Sequence, residues 1–393
     1  MSNIVNKKIR TIITVIVLIC FGMLCILNLY KFLSISKQKI TSEEGKESTN
    51  VFSDIENSFR ENVAHRNEMV DMYGIYQRMI GHSVVGNFEY VADEYGILHM
   101  INDYTPYQTD NFIEEMKELK EYLDEKNVPL LYVQAPNREI VNNNSLVTEF
   151  NLDNETMDIV VAALKDNDIS VLDIREKLLE EERNFELSDL FFHTDLHMQT
   201  DSEIWMADQV AKQLKNEMEI PINNIEYLED MSLYTKKTYD FVGNYGRTYG
   251  KYFVDKDVFN IYHPNFDTSY EYFVPGSEET HIAGSFEEVL MNGYENQPYD
   301  EYTYWVTDYM HFTQPYYTYI NNNQEEGKLL VITDSMAYRG LSYLSLTTRQ
   351  ITILDPRFFG EVDYVKLALQ EEYDAVIVLQ GNYLIGVPLI IEN

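Results

Sequence analysis

Cysteine and positive charge are both scarce in this chain of 393 residues, and each scarcity narrows the possible functions. The two cysteines, Cys20 and Cys25, lie in an N-terminal apolar segment, so the rest of the chain has no disulfide and no thiolate metal site. The 30 lysines and arginines face 65 acidic residues, which gives a formal net charge of −35. Such a surface repels nucleic acid and anionic lipid headgroups and argues against a nucleic-acid-binding role. We attribute this charge to the solubility of an exported protein.

Charge is absent from residues 11–30, which consist mainly of Ile, Val, Leu, Phe and Met. About 20 such residues are needed to cross a bilayer as a helix. No small-residue cleavage pattern follows the segment, so we predict an uncleaved membrane anchor over residues 11–33. Three basic residues flank it on each side and do not decide its orientation. Because long domains translocate with little regard to such charges, we place residues 1–10 in the cytoplasm and the main domain outside the cell.

The rest of the chain divides by composition into a stalk and one large domain. Residues 34–105 begin with a polar linker and continue with apolar residues at helical spacing, which predicts an extracellular stalk and packing helices. Residues 106–393 form the predicted main domain. Within that domain, residues 216–327 are rich in Tyr, Asn, Asp and Glu and weak in periodicity. We interpret this stretch as a long insertion or lid.

The main domain alternates short apolar runs with amphipathic helices, which predicts an α/β fold with a parallel sheet covered by helices. The predicted strands are residues 129–134, 169–173, 329–332, 350–354 and 375–379. In such sheets the functional site lies beyond the carboxyl ends of the strands. Four polar residues lie within three residues of the ends of predicted strands: Asn137, Ser335, Asp355 and Asn382. We therefore expect these four residues to lie at one edge of the sheet.

Three of the candidate site residues suggest nucleophilic chemistry. Ser335 falls where a buried strand turns into a predicted helix, at a position where backbone N–H groups can stabilise an oxyanion. Asp195 and His197 lie two residues apart in a loop, and a carboxylate beside an imidazole makes that histidine a general base. The simpler interpretation is that Ser335 caps the following helix and that Asp195 and His197 belong to a solvated loop.

Other candidate residues have both a functional and a structural interpretation. His193, Asp195 and His197 contain ligand types that suit zinc, but helical zinc motifs space their histidines four apart, so we expect no metal and no cofactor. Asn137 and Asn382 are predicted oxyanion donors, although a loop asparagine commonly satisfies its own turn. Two arginines, Arg339 and Arg357, and eight aromatic residues are candidates for sugar binding, or for local ion pairs and a lid core. The aromatic residues are Tyr299, Tyr302, Tyr304, Trp305, Tyr309, Tyr316, Tyr317 and Tyr319.

These motifs resemble those of the SGNH-hydrolase-like proteins related to alginate O-acetyltransferases, and most closely those of the group called DHHW proteins. The resemblance rests on Asp195-Leu196-His197 before a capped helix and, far downstream, on a strand that ends in Asp334-Ser335. It extends from about residue 57 to residue 383 and includes the turn at residues 134–137 and the segment at residues 355–357. Leu196 and Met198 replace the middle His and the final Trp of the motif, and Thr333 replaces the Gly before Asp-Ser.

The resemblance implies an SGNH-hydrolase-like fold in which Asp195, His197 and Ser335 are the catalytic residues. It further implies transfer of an acyl group, usually acetyl, to a cell-surface or exported polysaccharide through an acyl-serine. Proteins of this kind often work beside a membrane-bound O-acyltransferase. Two alternatives remain open on the sequence: a carbohydrate esterase that uses water as the acceptor, and a non-catalytic glycan-binding or scaffold protein on the same fold. Arg339 is then a candidate contact for the substrate.

Overall fold

The computed structural model describes most of the chain, in segments that are separated by gaps. The described residues are 2–42, 55–56, 58–59, 62–86, 90–93, 95–101, 108–141, 152–180, 186–277, 280–291, 301, 314–381 and 383–389. They fall into two compact units, Met1–Tyr73 and Gly74–Asn393. In the first unit, one helix contains the stretch Thr14–Lys37, whose mean hydropathy is 2.2. By length and composition this stretch is able to cross a membrane, and a signal sequence has the same properties.

Eleven α-helices lie within the described residues. They are α1 (Ser2–Ser42), α2 (Arg66–Met79), α3 (Asp110–Lys126), α4 (Asp153–Asp166), α5 (Ile174–Glu180), α6 (Thr200–Glu217), α7 (Glu226–Glu229), α8 (Asn244–Tyr249), α9 (Phe286–Leu290), α10 (Tyr338–Leu344) and α11 (Tyr364–Ala368).

Thirteen strands lie within the same part of the chain. They are β1 (Val84–Val85), β2 (Tyr90–Ala92), β3 (Leu98–Met100), β4 (Leu130–Gln134), β5 (Ser170–Asp173), β6 (Tyr234–Phe241), β7 (Asp257–Pro264), β8 (Tyr270–Phe273), β9 (Ile282–Gly284), β10 (Tyr316–Asn321), β11 (Lys328–Thr333), β12 (Gln350–Leu354) and β13 (Ala375–Gln380).

The main sheet has eight strands in the order β5-β4-β13-β11-β12-β10-β8-β9. The first five are parallel, and β10, β8 and β9 join them antiparallel. Its central strands are buried on both faces because alternate side chains enter two different cores. In β11, for example, Leu329 and Val331 belong to one core, and Leu330 and Ile332 belong to the other. The predicted α/β fold with a central, mostly parallel sheet is confirmed.

The stretch that we interpreted as an insertion, residues 216–327, contributes directly to this sheet. Strands β8, β9 and β10 continue the sheet beyond β12, and β6 pairs with β7 as a separate two-stranded ribbon. The sequence pattern does not predict strand β10, because this strand consists mainly of tyrosine and polar residues instead of a run of aliphatic ones. Its Tyr317 and Tyr319 are buried and pack against Tyr272 of β8, with ring centroids 6.2 and 5.2 Å apart.

The registers bring the carboxyl ends of four parallel strands to one edge. Ile332 of β11 pairs with Leu354 of β12, and Thr333 of β11 pairs with Leu379 of β13. In turn, Gln380 of β13 pairs with Gln134 of β4. The residues that directly follow these strands therefore lie at the same end of the sheet, as the chain order predicts.

The pairing of β10 with the sheet makes a prediction about stability. Replacing the buried Tyr319 with Ala leaves a cavity between β10 and β8, so we expect the free energy of unfolding to fall by about 3–5 kcal/mol. Denaturant unfolding followed by circular dichroism measures this change. Tyr252→Ala is the control, because the Tyr252 side chain is 48% exposed. A Tyr319→Ala variant as stable as the Tyr252→Ala variant would contradict the packing of β10 into the core.

Candidate active site

Ser335 lies in the short connection between β11 and α10, at the carboxyl edge of the sheet. It does not cap the following helix, because α10 begins at Tyr338 and its N-cap residue is Ala337. The turn is held instead by Asp334, whose Oδ1 accepts a hydrogen bond from the backbone N–H of Met336 at 2.9 Å. Ser335 therefore stands before the helix, with its hydroxyl directed to other partners.

Asp195 and His197 are both buried and are hydrogen-bonded to each other. The distance between His197 Nδ1 and Asp195 Oδ1 is 2.6 Å, and the same oxygen accepts the His197 backbone N–H at 3.1 Å. Asp195 Oδ2 accepts the backbone N–H of Asn244 at 2.9 Å. Burial alone would raise the pKa of Asp195, but the charge of His197 and these hydrogen bonds outweigh it and lower the pKa. Asp195 is thus held as a carboxylate that fixes the imidazole ring.

The other ring nitrogen of this histidine faces the serine. His197 Nε2 and Ser335 Oγ are 3.2 Å apart, although the two residues are separated by 138 positions in the chain. With the Nδ1 proton donated to Asp195, the Nε2 atom is left to accept the serine proton. The structure thus joins the three predicted residues in a continuous hydrogen-bonded series from carboxylate to imidazole to hydroxyl.

The loop that carries Asp195 is held by a carboxylate that the sequence analysis did not identify. Asp257, at the start of β7, accepts the backbone N–H groups of His193 and Thr194 at 2.6 and 2.8 Å and the Thr194 hydroxyl at 2.5 Å. The Thr194 hydroxyl oxygen in turn accepts the backbone N–H of Gly243 at 2.8 Å. Burial raises the pKa of Asp257 against the opposing effect of the Thr194 hydrogen bond. One aspartate therefore satisfies three buried donors of the loop.

Gly243 is required beside Asp195 for reasons of space. A Cβ atom at position 243 would lie 2.2 Å from Asp195 Cβ and 2.5 Å from Asp195 Oδ2. Its φ of −75° is accessible to any residue, so only the close approach demands glycine. Neither Gly243 nor Asp257 carries a signal in the sequence, because each acts through a contact more than 45 residues away.

Asp355, one of the predicted residues of the sheet edge, forms an ion pair with Arg357 next to the serine. Arg357 binds the buried Asp355 with two nitrogens, at 2.9 Å through Nε and 2.6 Å through Nη2. The remaining nitrogen, Nη1, donates a hydrogen bond to Ser335 Oγ at 3.3 Å. Arg357 thus makes a local ion pair, as one of its two sequence interpretations expects, and it also reaches the candidate site. Its binding to a sugar stays a prediction.

The structure places the other predicted site residues less centrally. Asn137 follows β4, is 7% exposed, and has no hydrogen-bond partner for either side-chain atom among the described residues. Asn382 lies outside the described residues. Arg339 is 1% exposed in α10 and binds the buried Glu203 and the carbonyl oxygen of Met198. This ion pair holds the helix in the interior, a geometry that favours a structural role for Arg339 over contact with a ligand.

The structure also places some of the aromatic residues and candidate metal ligands that the sequence suggests. Tyr316, Tyr317 and Tyr319 are buried in β10 and are not available to stack on a sugar, as their core interpretation expects. The other five aromatic residues of that group lie outside the described residues. His193 is held through its backbone, whose carbonyl oxygen accepts from Arg138 at 3.2 Å. Within the described segments, no group of three His, Cys, Asp or Glu side chains is arranged to hold a metal ion.

Comparison with known proteins identifies the fold. Residues 102–238 match the model of a family described as SGNH hydrolase-like domain, acetyltransferase AlgX. The solved structure of Bacillus cereus PatB1 covers 76% of this chain and 98% of its own, with a TM-score of 0.59 and 16% identity. The chain has an SGNH hydrolase-like fold. A DHHW family protein from Eubacterium siraeum is similar too, covering 76% of this chain and 92% of its own, with a TM-score of 0.56 and 16% identity.

The resemblance that the sequence motifs indicate is therefore confirmed. The family match spans the loop with Asp195 and His197, and the structural matches extend the SGNH hydrolase-like fold over three quarters of the chain. A search of curated proteins finds no significant match. Met198, which replaces the final Trp of the motif, is fully buried in the larger core, so its replacement affects packing behind the site.

The aspartate before Ser335 provides a prediction about pH. Burial raises the pKa of Asp334 to about 6, and its Oδ2 atom has no hydrogen-bond partner among the described residues. Between about pH 4 and pH 6 the folded state therefore holds a proton that the unfolded state has released. The free energy of unfolding should fall as pH rises through this window, by up to roughly 3 kcal/mol.

Asp334→Asn should remove this dependence and raise stability at pH 8, because the amide keeps the Met336 hydrogen bond and carries no charge. Denaturant titrations at pH 4, 6 and 8 measure the difference between the variant and the wild type. Asp267→Asn, at an exposed position, is the control. If Asp334→Asn follows the wild type across the whole range, Asp334 does not carry a buried negative charge at pH 8.

Proposed function

We propose that this protein is an O-acyltransferase, most simply an O-acetyltransferase, that acts on cell-surface or exported polysaccharide through an acyl-serine. The observation that carries the proposal is the 3.2 Å distance between Ser335 Oγ and His197 Nε2, with Asp195 bound behind the imidazole. The match of residues 102–238 to an acetyltransferase family supports the same reaction class.

The reaction would proceed in two steps. In the first, Ser335 Oγ attacks the acyl carbon of the donor while His197 Nε2 takes the serine proton. The tetrahedral intermediate expels the leaving group, which receives that proton from His197, and an ester to Ser335 remains. In the second step a sugar hydroxyl attacks this ester and gives its proton to His197. The bond between the acyl carbon and Ser335 Oγ then breaks, His197 returns the proton to Ser335 Oγ, and the acylated sugar leaves as the product. Asp195 stays ionised and stabilises the imidazolium that forms in each step.

The oxyanion of each tetrahedral intermediate needs hydrogen-bond donors. The backbone N–H of Ser335 is one proposed donor, and the Asn137 amide is another. Asn137 is buried at the same edge of the sheet and has no partner within the described part of the chain, which is the condition expected of a donor reserved for a ligand. Asn382 remains a prediction for the same role.

The proposed location of the protein rests on its N-terminal helix. We propose that α1 is an uncleaved anchor and that the SGNH hydrolase-like domain lies outside the cell, where exported polysaccharide is accessible. The hydropathy of the stretch Thr14–Lys37 supports an anchor. A membrane-bound O-acyltransferase that delivers the acyl group would be the natural partner for a domain tethered in this way.

Two alternatives use the same fold. An esterase would use water in place of the sugar hydroxyl in the second step, and a glycan-binding scaffold would use no chemistry at all. Product analysis distinguishes the first alternative: in the presence of an oligosaccharide acceptor, a transferase forms an acetylated sugar, whereas an esterase releases only acetate. Retained polysaccharide binding without any acyl chemistry would favour the scaffold.

Replacing the nucleophile is the direct test of the proposal. Ser335→Ala should lower turnover of a chromogenic acetyl ester by about 10⁴-fold or more, because the acyl-serine cannot form. The rate of release of the chromophore measures this loss. Ser232→Ala, at an exposed serine, should keep the wild-type rate. Equal activity of wild type and Ser335→Ala would exclude catalysis by Ser335.

The close contact at Gly243 gives a second test. Gly243→Ala must displace Asp195, and a misplacement of about 1 Å in a catalytic group can lower the rate by about 10²-fold. We expect the loss in kcat of the ester assay, since the ring of His197 loses its fixed orientation. Gly386→Ala is the matched control because nothing lies within 4 Å of a Cβ at that position. A Gly243→Ala variant with wild-type kcat would contradict the positioning role of Asp195.

A further inference from the structure

Within the described residues, two Asp–Arg ion pairs share the same geometry and lie at the carboxyl ends of two parallel strands. We call each of these ion pairs an arginine clamp. Asp173 ends β5 and binds Arg175, and Asp355 follows β12 and binds Arg357. In the first clamp, the Asp173 oxygens accept from Arg175 Nε at 3.0 Å and from Nη2 at 2.7 Å. In the second, the corresponding distances from Arg357 to Asp355 are 2.9 and 2.6 Å. In both clamps the aspartate also accepts the backbone N–H of its arginine.

The two clamps differ in what the third nitrogen of the guanidinium contacts. Arg175 Nη1 is occupied by Asp158 Oδ1 at 2.9 Å and by the carbonyl oxygen of Asn154 at 3.3 Å. Arg357 Nη1 instead donates to Ser335 Oγ at 3.3 Å. The Nη1 atom of Arg175 thus binds groups away from the candidate site, whereas the Nη1 atom of Arg357 binds the proposed nucleophile.

The second clamp is both rigid and partly open to solvent. Asp355 is fully buried and also accepts a hydrogen bond from the Tyr338 hydroxyl, so the carboxylate cannot rotate away from the arginine. The Arg357 side chain is 31% exposed, against 11% for Arg175. Burial alone would lower the pKa of Arg357, but the bonds and charge of Asp355 raise it, so the guanidinium stays charged. A fixed and partly exposed cation therefore borders Ser335.

We propose that Arg357 is a catalytic residue that hydrogen-bonds the reacting oxygen of Ser335 and stabilises the negative charge that forms during acyl transfer. This inference rests on the proposed function and adds to it a side-chain hydrogen-bond donor at the nucleophile. The donor is preorganised by Asp355, so it does not have to reorient when charge develops. The substrate class that it suits is an acyl ester or thioester whose carbonyl oxygen becomes an oxyanion.

Arg357 takes no part in the proton transfers of the reaction. The Ser335 proton passes to His197 Nε2 as Oγ forms its bond to the acyl carbon, and the carbonyl π electrons move onto the carbonyl oxygen. That oxygen shares the tetrahedral carbon with Oγ and so lies beside the same Nη1 atom. Arg357 donates hydrogen bonds throughout and neither gains nor loses a proton. When the intermediate collapses, the electrons return to the carbonyl and the leaving group takes the proton from His197.

The duplicated clamp supplies a matched control for the experiment. Arg357→Gln and Arg175→Gln each break the two-nitrogen contact to a buried aspartate, so both should lower thermal stability. Only Arg357→Gln should lower kcat for a chromogenic acetyl ester, by about 10²–10³-fold, the usual cost of losing one oxyanion donor. KM should change little, because the stabilised charge exists only in the transition state. Arg357→Lys should retain part of the lost rate, since it keeps the charge but not the fork.

Two further measurements distinguish catalysis from structure. Guanidinium ion added to Arg357→Ala should restore part of kcat, and it should have no such effect on Arg175→Ala or on the wild type. A sulfonyl fluoride is a suitable probe of the nucleophile, because PatB1 has been solved with a sulfonyl adduct. We expect mass spectrometry to find an adduct on Ser335 in the wild type within minutes and far more slowly in Arg357→Gln.

The outcomes also separate this inference from the proposed function. If the wild type is sulfonylated on Ser335 and Arg357→Gln reacts at the same rate with the same kcat, Arg357 has no catalytic role and the acyl-serine proposal stands. Equal losses of kcat in Arg357→Gln and Arg175→Gln would likewise show that Arg357 has only a structural role. If the wild type forms no adduct and turns over no ester, the proposed function and this inference both fail.

Discussion

The candidate site depends on one constraint: buried backbone donors of the loop around Asp195 must be satisfied away from water. Residues 190–198 are largely buried, and an unpaired N–H in such a place costs about 1–3 kcal/mol. Asp257 meets this need by accepting three hydrogen bonds from His193 and Thr194. The same network places the N–H of Asn244 on the Asp195 carboxylate. The two-stranded ribbon of β6 and β7, which supplies Asp257, therefore helps to hold the site in place.

The sheet supplies the second half of the arrangement. Because β11 pairs with β12 and β13 in parallel, the turns that follow these strands converge at one edge. Ser335 and Arg357 meet there, and the His197 ring also contacts the serine hydroxyl. The hydroxyl is thereby held between an acceptor and a donor. Such an arrangement fixes the direction of the serine proton and leaves the oxygen lone pairs next to a cation.

Local charges at the site differ from the charge of the whole chain. The formal net charge is −35, yet the group that borders Ser335 is a guanidinium. Its carboxylate partner, Asp355, is buried, and Asp334 has a pKa raised to about 6 by burial. The low dielectric around these groups strengthens each contact and makes each unpaired charge expensive. A few buried pairs, and not the net charge of the chain, therefore determine the electrostatics of the site.

The sequence by itself determined the class of fold and the identity of the three central residues. Aliphatic runs such as that of β11 specify buried parallel strands, and the order of Asp195, His197 and Ser335 carries the family resemblance. It could not indicate β10, because tyrosines fill a strand only where other aromatic rings pack on them. Nor could it distinguish Arg357 from Arg175, which share a local motif and differ only in the third contact of the guanidinium. Tertiary structure decided these points because each depends on atoms that are distant in the chain and adjacent only after folding.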